Sequence, residues 1–168
     1  MKNINFTKGN LESLKLYEFK NLDKIALFFI IDSLNRINFL NIDSARSIIE
    51  IRNENNIESI CFTMHSKRCL PIEIVLHLDY IDMSVSNFQP IREMYKINIK
   101  KINEELSFLN KWLSCDIINE FKKSNNFIIK NIFYCNSAPN EIIFKSITFF
   151  GFLSIGKNDR KDFKSWAK

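Results

Sequence analysis

Glycine, proline and histidine are scarce in this chain. Its 168 residues include three glycines, three prolines and two histidines. Because no stretch is rich in glycine, proline or serine, the sequence contains no linker of the usual flexible composition. We therefore expect one compact domain over residues 1–168, with a helical part at 1–40, a core of sheet and helices at 46–157 and a basic tail at 158–168.

Long apolar runs are also absent. The longest, from Ile25 to Ile31, is far shorter than the roughly 20 residues that a membrane-spanning helix needs. The first ten residues, MKNINFTKGN, contain no apolar segment of the kind found in a secretory signal. We therefore expect no membrane span and a cytoplasmic location.

Clustered metal ligands are missing as well. The four cysteines are spaced neither as CxxC metal ligands nor as the framework of a small disulfide-rich domain, and they are Cys61, Cys69, Cys115 and Cys135. His65 and His77 lie near the first two cysteines, but no HxxxH pattern accompanies them. We expect mostly buried thiols and no metal site.

Charge is present without a strong pattern. The formal net charge is +5, which permits an anionic partner such as a nucleic acid. The lysines are scattered, however, with small clusters at 100–101, 122–123 and in the last twelve residues. Solvated helix faces explain this distribution better than a nucleic-acid groove, so we expect no nucleic-acid partner.

Apolar periodicity predicts the first half of the fold. Spacing of three and four residues predicts one long or two short helices over 10–40, with a break near 20–23. Two β-rich segments at 46–53 and 57–65 flank the polar tripeptide ENN and predict a hairpin. After Pro71, alternation of apolar and polar residues predicts a strand over 72–85.

The second half predicts a helix and further strands. Apolar residues from Met94 to Ile117 have helical spacing and indicate a long helix, with a break near Ser114. Residues 127–135 favour a strand. Residues 136–140 are rich in turn-forming residues, and the next segment, 141–150, is compatible with a short helix or with a strand. This order indicates an α+β fold with one mainly antiparallel central sheet flanked by helices.

The end of the chain resembles the GNAT superfamily of acyl-CoA-dependent N-acyltransferases. Asn136 or Asn140, followed by EIIFKSITFF, then Gly151-Phe152 and LSIG, is similar to the strand, asparagine, short helix, Gly-Phe and final strand of that family. The resemblance covers 46–157 in its order of elements, and it implies a single GNAT-like domain. The glycine would then end the short helix.

This resemblance also implies a donor site for a thioester, either acyl-CoA or an acyl carrier protein. The family's phosphate loop has the pattern Q/R-x-x-G-x-G/A, and here Gln89 takes its first position while Arg92 and Met94 replace its glycines. Arg92 would contact phosphates with its own charge. The residues that would line the donor are Ser84, Val85, Ser86, Gln89 and Arg92.

Catalytic residues follow from the same comparison. The family often has a tyrosine that protonates the leaving thiolate, and Ile147 takes its position here. Tyr80 and Tyr134 are the other candidates for this general acid. Among the RTX toxin-activating acyltransferases, a subgroup that this chain resembles in length and element order, an aspartate on the central strand matches Asp79. His77 would share its strand face and pair with it to accept a proton from the attacking amine.

Two function classes therefore stay open. The first is a GNAT-like N-acyltransferase that moves an acyl group to an amine of a protein or a small molecule. The second is a noncatalytic binding protein of similar α+β fold, such as an immunity protein, a secretion chaperone or an inactive relative of the acyltransferases. For the polar residues of 72–85, ordinary hydrogen bonds at a strand edge are the alternative to catalysis.

Overall fold

The structure, a computed structural model, describes residues 2–54, 57–85, 90–95, 99–124, 127–147 and 157–167. These residues form helices and two antiparallel sheets, which confirms the α+β class and the antiparallel pairing. The expectation of one central sheet was wrong. The strands divide between a six-stranded and a four-stranded sheet.

The first sheet is an antiparallel meander in which each strand pairs with the next in the chain. Its strands in order are β1 (Lys2–Asn5), β2 (Ile48–Glu54), β3 (Ile57–Met64), β4 (Ile72–Leu76), β5 (Tyr80–Val85) and β6 (Pro90–Tyr95). The predicted hairpin at 46–53 and 57–65 is confirmed, because β2 and β3 pair with Glu54 opposite Ile57.

The second sheet has the strand order β10-β7-β8-β9. Its strands are β7 (Ile117–Ser124), β8 (Phe127–Cys135), β9 (Ala138–Ile147) and β10 (Lys157–Phe163). The predicted strand at 127–135 is β8. Most of the expected basic tail is β10, which pairs with β7 along its whole length. Its charged side chains suit a solvated edge strand.

The helices are α1 (Lys8–Leu14), α2 (Lys24–Leu34) and α3 (Ile99–Ser114). Thr7 and Asp23 cap the first two, and the Asp23 carboxylate accepts the Ala26 N–H at 2.9 Å. The predicted break between two N-terminal helices is confirmed. The third helix ends at Ser114, where a break was expected, but both ends of the predicted run are strand, since Met94 belongs to β6 and Ile117 begins β7. Among the described residues, no helix combines the length and apolar character needed to cross a membrane.

Side chains from all three helices and both sheets form one buried apolar cluster. Side chains on a strand point to opposite faces in turn, so every second residue of β2, β3 and β4 points into this cluster. From the second sheet, Ile117 and Phe133 join the same cluster, and Trp166 follows β10 into it. The Trp166 indole N–H donates to the Leu70 carbonyl at 2.9 Å, which ties the chain end to the first sheet.

Two local predictions need correction. The segment 72–85 is a hairpin of β4 and β5 rather than one strand, since the His77 N–H donates to the Tyr80 carbonyl at 2.9 Å and the chain turns at 78–79. The segment that suited either a helix or a strand belongs to strand β9, paired with β8, so the helical alternative was wrong over 141–147. Residues 138–140 of the predicted turn are also part of this strand. Gly151 lies outside the described residues.

A disulfide joins Cys115, after α3, to Cys135 at the end of β8. Cys61 and Cys69 are buried thiols, as expected. The expectation of a buried thiol is therefore confirmed for Cys61 and Cys69 and wrong for Cys115 and Cys135. Chain spacing did not reveal the bridge, because strand pairing of β7 with β8 is what places Cys135 opposite Ile117, two residues after Cys115.

Candidate functional site

The β4–β5 turn carries the two residues that the sequence singled out as an acid-base pair. Leu78 and Asp79 are the two turn residues, and His77 and Tyr80 flank them. Asp79 therefore does not lie on a central strand, and it does not share a strand face with His77. Both residues nevertheless line one cleft of about 430 Å³ at this end of the first sheet.

The cleft is built across four strands, on the sheet face that points away from the core. Arg52 of β2 lies opposite Ser59 of β3. Ser59 and His77 adjoin the paired residues Ile60 and Leu76. A row of four side chains, one from each strand, therefore crosses the sheet and lines the cleft. The row consists of Arg52 on β2, Ser59 on β3, His77 just after β4 and Tyr80 on β5. We call this region the hairpin cleft, lined by Arg52, Glu54, Ile57, Ser59, His77, Leu78, Asp79 and Tyr80.

Arg52 is held in place by a buried carboxylate. Its guanidinium forms an ion pair with Glu50, two residues earlier on the same strand face. The hydrogen bond to Glu50 raises the pKa of Arg52. Glu50 is almost fully buried while Arg52 stays partly exposed. The pair holds one terminal nitrogen of the guanidinium in place, and Arg52 also lines the cleft.

The His77 ring stacks on the Tyr80 ring, with centroids 4.0 Å apart and planes inclined by 17°. Burial lowers the pKa of His77, and the positive charge of Arg52 lowers it further, while Asp79 acts in the opposite direction. The imidazole is therefore mainly neutral at pH 7. A neutral imidazole next to a carboxylate can accept a proton, and the stacked pair also presents a rigid aromatic surface.

Two aliphatic side chains border the cleft. Ile57 begins β3 and is 51% exposed, and Leu78 at the turn is 50% exposed. Both line the hairpin cleft together with Tyr80. Exposed aliphatic side chains beside aromatic and arginine side chains are typical of sites at which proteins contact one another.

Tyr134, the third predicted catalytic residue, lies on β8 in the second sheet. Its hydroxyl donates to the Glu120 carboxylate at 2.6 Å. This hydrogen bond raises the pKa of Tyr134. Tyr134 is not among the residues that line the hairpin cleft, so the structure brings His77 and Asp79 together but places Tyr134 on a separate surface.

The predicted donor residues lie at the opposite end of β5 or beyond it. Ser84 faces Glu73 on one side and Pro90 on the other, and Val85 faces Ile72. Their strand is thus paired within a continuous sheet. Arg92 lies on β6 opposite Met83. Ser86 and Gln89 lie outside the described residues, so their predicted role in donor binding stays a prediction.

No family model, curated protein or solved structure matches this chain. The resemblance to acyltransferases therefore stays a prediction. In the described ranges, no group of three or more histidine, cysteine, aspartate or glutamate side chains is placed to hold a metal ion.

Sequence reasoning missed Arg52, Ile57 and Leu78 as members of the cleft. The alternation across 72–85 assigned Leu78 to the buried face, because the Leu78-Asp79 turn contains no glycine or asparagine to mark it. A signal for Arg52 and Ile57 was present. Both flank the polar ENN turn of the predicted hairpin, where side chains lie at the end of the sheet.

Proposed function

We propose that this protein is a protein-binding module whose hairpin cleft docks a basic and apolar segment of a partner. The observation that carries the proposal is the pair of half-exposed aliphatic side chains, Ile57 and Leu78, in the same cleft as the fixed His77–Tyr80 stack. Removal of these apolar side chains from water by a partner would contribute favourable binding free energy.

The cleft is preorganised. His77 and Tyr80 are connected by a turn hydrogen bond of 2.9 Å and by ring stacking. Arg52 is fixed by the Glu50 carboxylate. Side chains that are already ordered lose little conformational entropy on association, and this favours binding.

Charge determines the chemistry of the partner. The carboxylates of Glu54 and Asp79 line the cleft, and the Arg52 guanidinium in the same lining is paired with the buried Glu50 carboxylate. This surface is therefore locally acidic on a chain of formal net charge +5. A partner segment that combines lysine or arginine with a large apolar side chain complements both features.

The acyltransferase prediction required an opened sheet between the strands of Ser84 and Tyr134. Those strands belong to different sheets, as such an opening requires. The same prediction also needed a short helix near 139–150, however, and Ala138–Ile147 is strand β9. Binding at the hairpin cleft requires no such opening. His77 and Asp79 serve in this proposal as contact residues.

Selection from a random peptide library on the immobilised protein tests the proposal. We expect the enriched peptides to combine lysine or arginine with leucine, phenylalanine or tryptophan. Leu78→Asp should weaken their binding at least about tenfold, because it removes an apolar anchor and places a charge in the contact. Leu40→Asp is the matched control, since Leu40 is a leucine that is 92% exposed and lies outside the cleft.

Enrichment of acidic peptides, or equal losses for the two leucine variants, would contradict the proposal. The acyltransferase prediction is tested in parallel by thermal unfolding with acetyl-CoA. A donor at about 100 times its dissociation constant adds about 2.7 kcal/mol to the free energy of unfolding, which raises the melting temperature. Such a shift together with no selectable peptide would favour the enzyme over the binding module.

A further inference from the structure

Four lysines meet at one end of the second sheet as two directly opposed pairs. Lys122 of β7 lies directly opposite Lys130 of β8, and Lys123 of β7 lies directly opposite Lys157 of β10. Like charges placed directly opposite across strands destabilise a sheet. We call these four residues the lysine end.

Within the described ranges, no carboxylate forms a salt bridge with the lysine end. Lys123 instead lies over the Phe121 ring, with its Nζ 5.0 Å from the ring centroid. The residues that join these strands in the sequence, 125–126 and 148–156, include no aspartate or glutamate. Glu120 and Asp159 lie further along β7 and β10 and line one pocket together with Lys130. Four lysines thus stand against two carboxylates in this part of the sheet, and an external anion would balance the excess positive charge.

The lysines lie on both faces of the sheet. Lys122 and Lys123 are consecutive on β7, so their side chains point to opposite faces. Lys130 shares the face of Lys122, and Lys157 shares the face of Lys123. A linear polyanion lying on one face would reach only two of the four. A flat anionic surface that meets the end of the sheet is accessible to all four, because lysine side chains are long and flexible.

We propose that the lysine end docks the protein on an anionic lipid bilayer surface. Lysines near such a surface each strengthen binding about fivefold at low salt. Ile128, next to this end on β8, is 39% exposed and adds an apolar side chain to the contact. The proposal is independent of the hairpin cleft, which lies on the first sheet.

Vesicle flotation tests this docking. We expect the protein to float with phosphatidylcholine vesicles that contain about 30% phosphatidylserine and not with phosphatidylcholine alone, and to be released as salt rises from about 50 to about 300 mM. Lys122→Gln with Lys130→Gln should weaken binding about tenfold or more, and Lys123→Gln with Lys157→Gln should do the same. Lys8→Gln with Lys24→Gln is the charge-matched control, because both lysines are exposed residues at the starts of α1 and α2, and its loss should be clearly smaller.

Absence of binding to the anionic vesicles at low salt would overturn the proposal. So would equal losses for the control pair, which would indicate attraction by net charge alone. If the protein instead bound a single-stranded oligonucleotide, and this binding required Lys122 and Lys130 but not Lys123 and Lys157, one face of the sheet would be a nucleic-acid site and the bilayer proposal would be wrong. Circular dichroism melting of each double variant confirms folding, and the two lysine-end variants should be at least as stable as the parent because they relieve repulsion.

Discussion

The two sheets of this protein differ in what they bury. The first sheet buries an apolar face, with Ile49, Phe62 and Ile74 fully enclosed. The second sheet buries an amide pair, in which the Asn119 side chain donates to Asn131 at 2.7 Å, and it carries the disulfide.

This difference indicates how each sheet is stabilised. Burial of apolar surface is worth about 25 cal/mol per Å², so the first sheet depends on packing. The second sheet also contributes Ile117 and Phe133 to the shared apolar core. Its buried amide pair adds less net free energy, and a covalent bridge supplements it. Each sheet also ends in a differently charged surface, the acidic hairpin cleft on the first and the lysine end on the second.

The largest expected effect tests whether the two sheets share one core. Phe62→Ala in β3 and Phe133→Ala in β8 each remove a fully buried ring from the same apolar cluster. We expect each to lower the free energy of unfolding by about 3–5 kcal/mol. Urea unfolding followed by circular dichroism should show a single transition for both variants. Two separate transitions, only one of which moves in each variant, would contradict a shared core.

The next effect concerns the second sheet alone. Cys115→Ser with Cys135→Ser removes a bridge that closes a loop of sequence separation 20. We expect a loss of about 3 kcal/mol, because the unfolded chain regains the entropy of that loop. Adding a reductant to the parent should produce the same loss in thermal unfolding.

Cys61 provides the control for this experiment. Burial raises the pKa of its thiol to about 11, so it should react with a thiol reagent only after unfolding. Cys61→Ser in the presence and absence of reductant should show the same reductant dependence as the parent. If reductant leaves the parent's stability unchanged, the bridge contributes nothing.

A smaller effect is expected from a buried carboxylate near the start of β3. The Glu58 carboxylate is buried and accepts the backbone N–H groups of Lys20 at 2.6 Å and Asn21 at 3.2 Å. Glu58→Ala leaves these donors without their acceptor and should cost about 1–3 kcal/mol in urea unfolding. Glu58→Gln keeps one acceptor oxygen and should lose less, and an equal loss would indicate that charge rather than hydrogen bonding matters.

Much of the fold could be predicted from local patterns. The β2–β3 hairpin follows from two β-rich segments around ENN, and the two N-terminal helices follow from apolar spacing interrupted near 20–23. Strand β8 coincides with the predicted range 127–135. These elements depend mainly on their own side chains and turns, so their sequence patterns were sufficient.

Other elements depend on what lies beside them. Alternation continues through Leu78 and Asp79, so the pattern did not reveal the β4–β5 turn. Strand β10 is charged and only its pairing with β7 makes it a strand. For the candidate site, the sequence singled out His77 and Asp79, but Arg52, Ile57 and Leu78 join them only because two hairpins end side by side.

A pH effect on stability is expected from the first sheet, because both histidines lie next to its strands. Burial lowers the pKa of both His65 and His77 below the usual 6.5. The unfolded state therefore binds more protons than the folded state as pH falls through 6.5, so stability is lost on acidification and regained as pH rises. Urea unfolding midpoints should be lower at about pH 5.5 than at about pH 7.5. His77→Gln should reduce this difference, and an unchanged difference would exclude His77 as a source.

The smallest expected effect concerns the lysine end. Lys122→Gln removes one of two lysines that lie directly opposite each other, and relief of repulsion should raise the free energy of unfolding by about 0.2–1 kcal/mol at low salt. Lys15→Gln is the contrasting change, because Lys15 bonds Asp32 at 2.7 Å and Glu12 at 3.3 Å, so its loss should be neutral or slightly destabilising. Both differences should shrink at high salt, because they arise from exposed charges. If Lys122→Gln destabilises the protein at low salt, the opposed lysines do not repel each other in the folded chain, and the main argument for an external anion at this end fails.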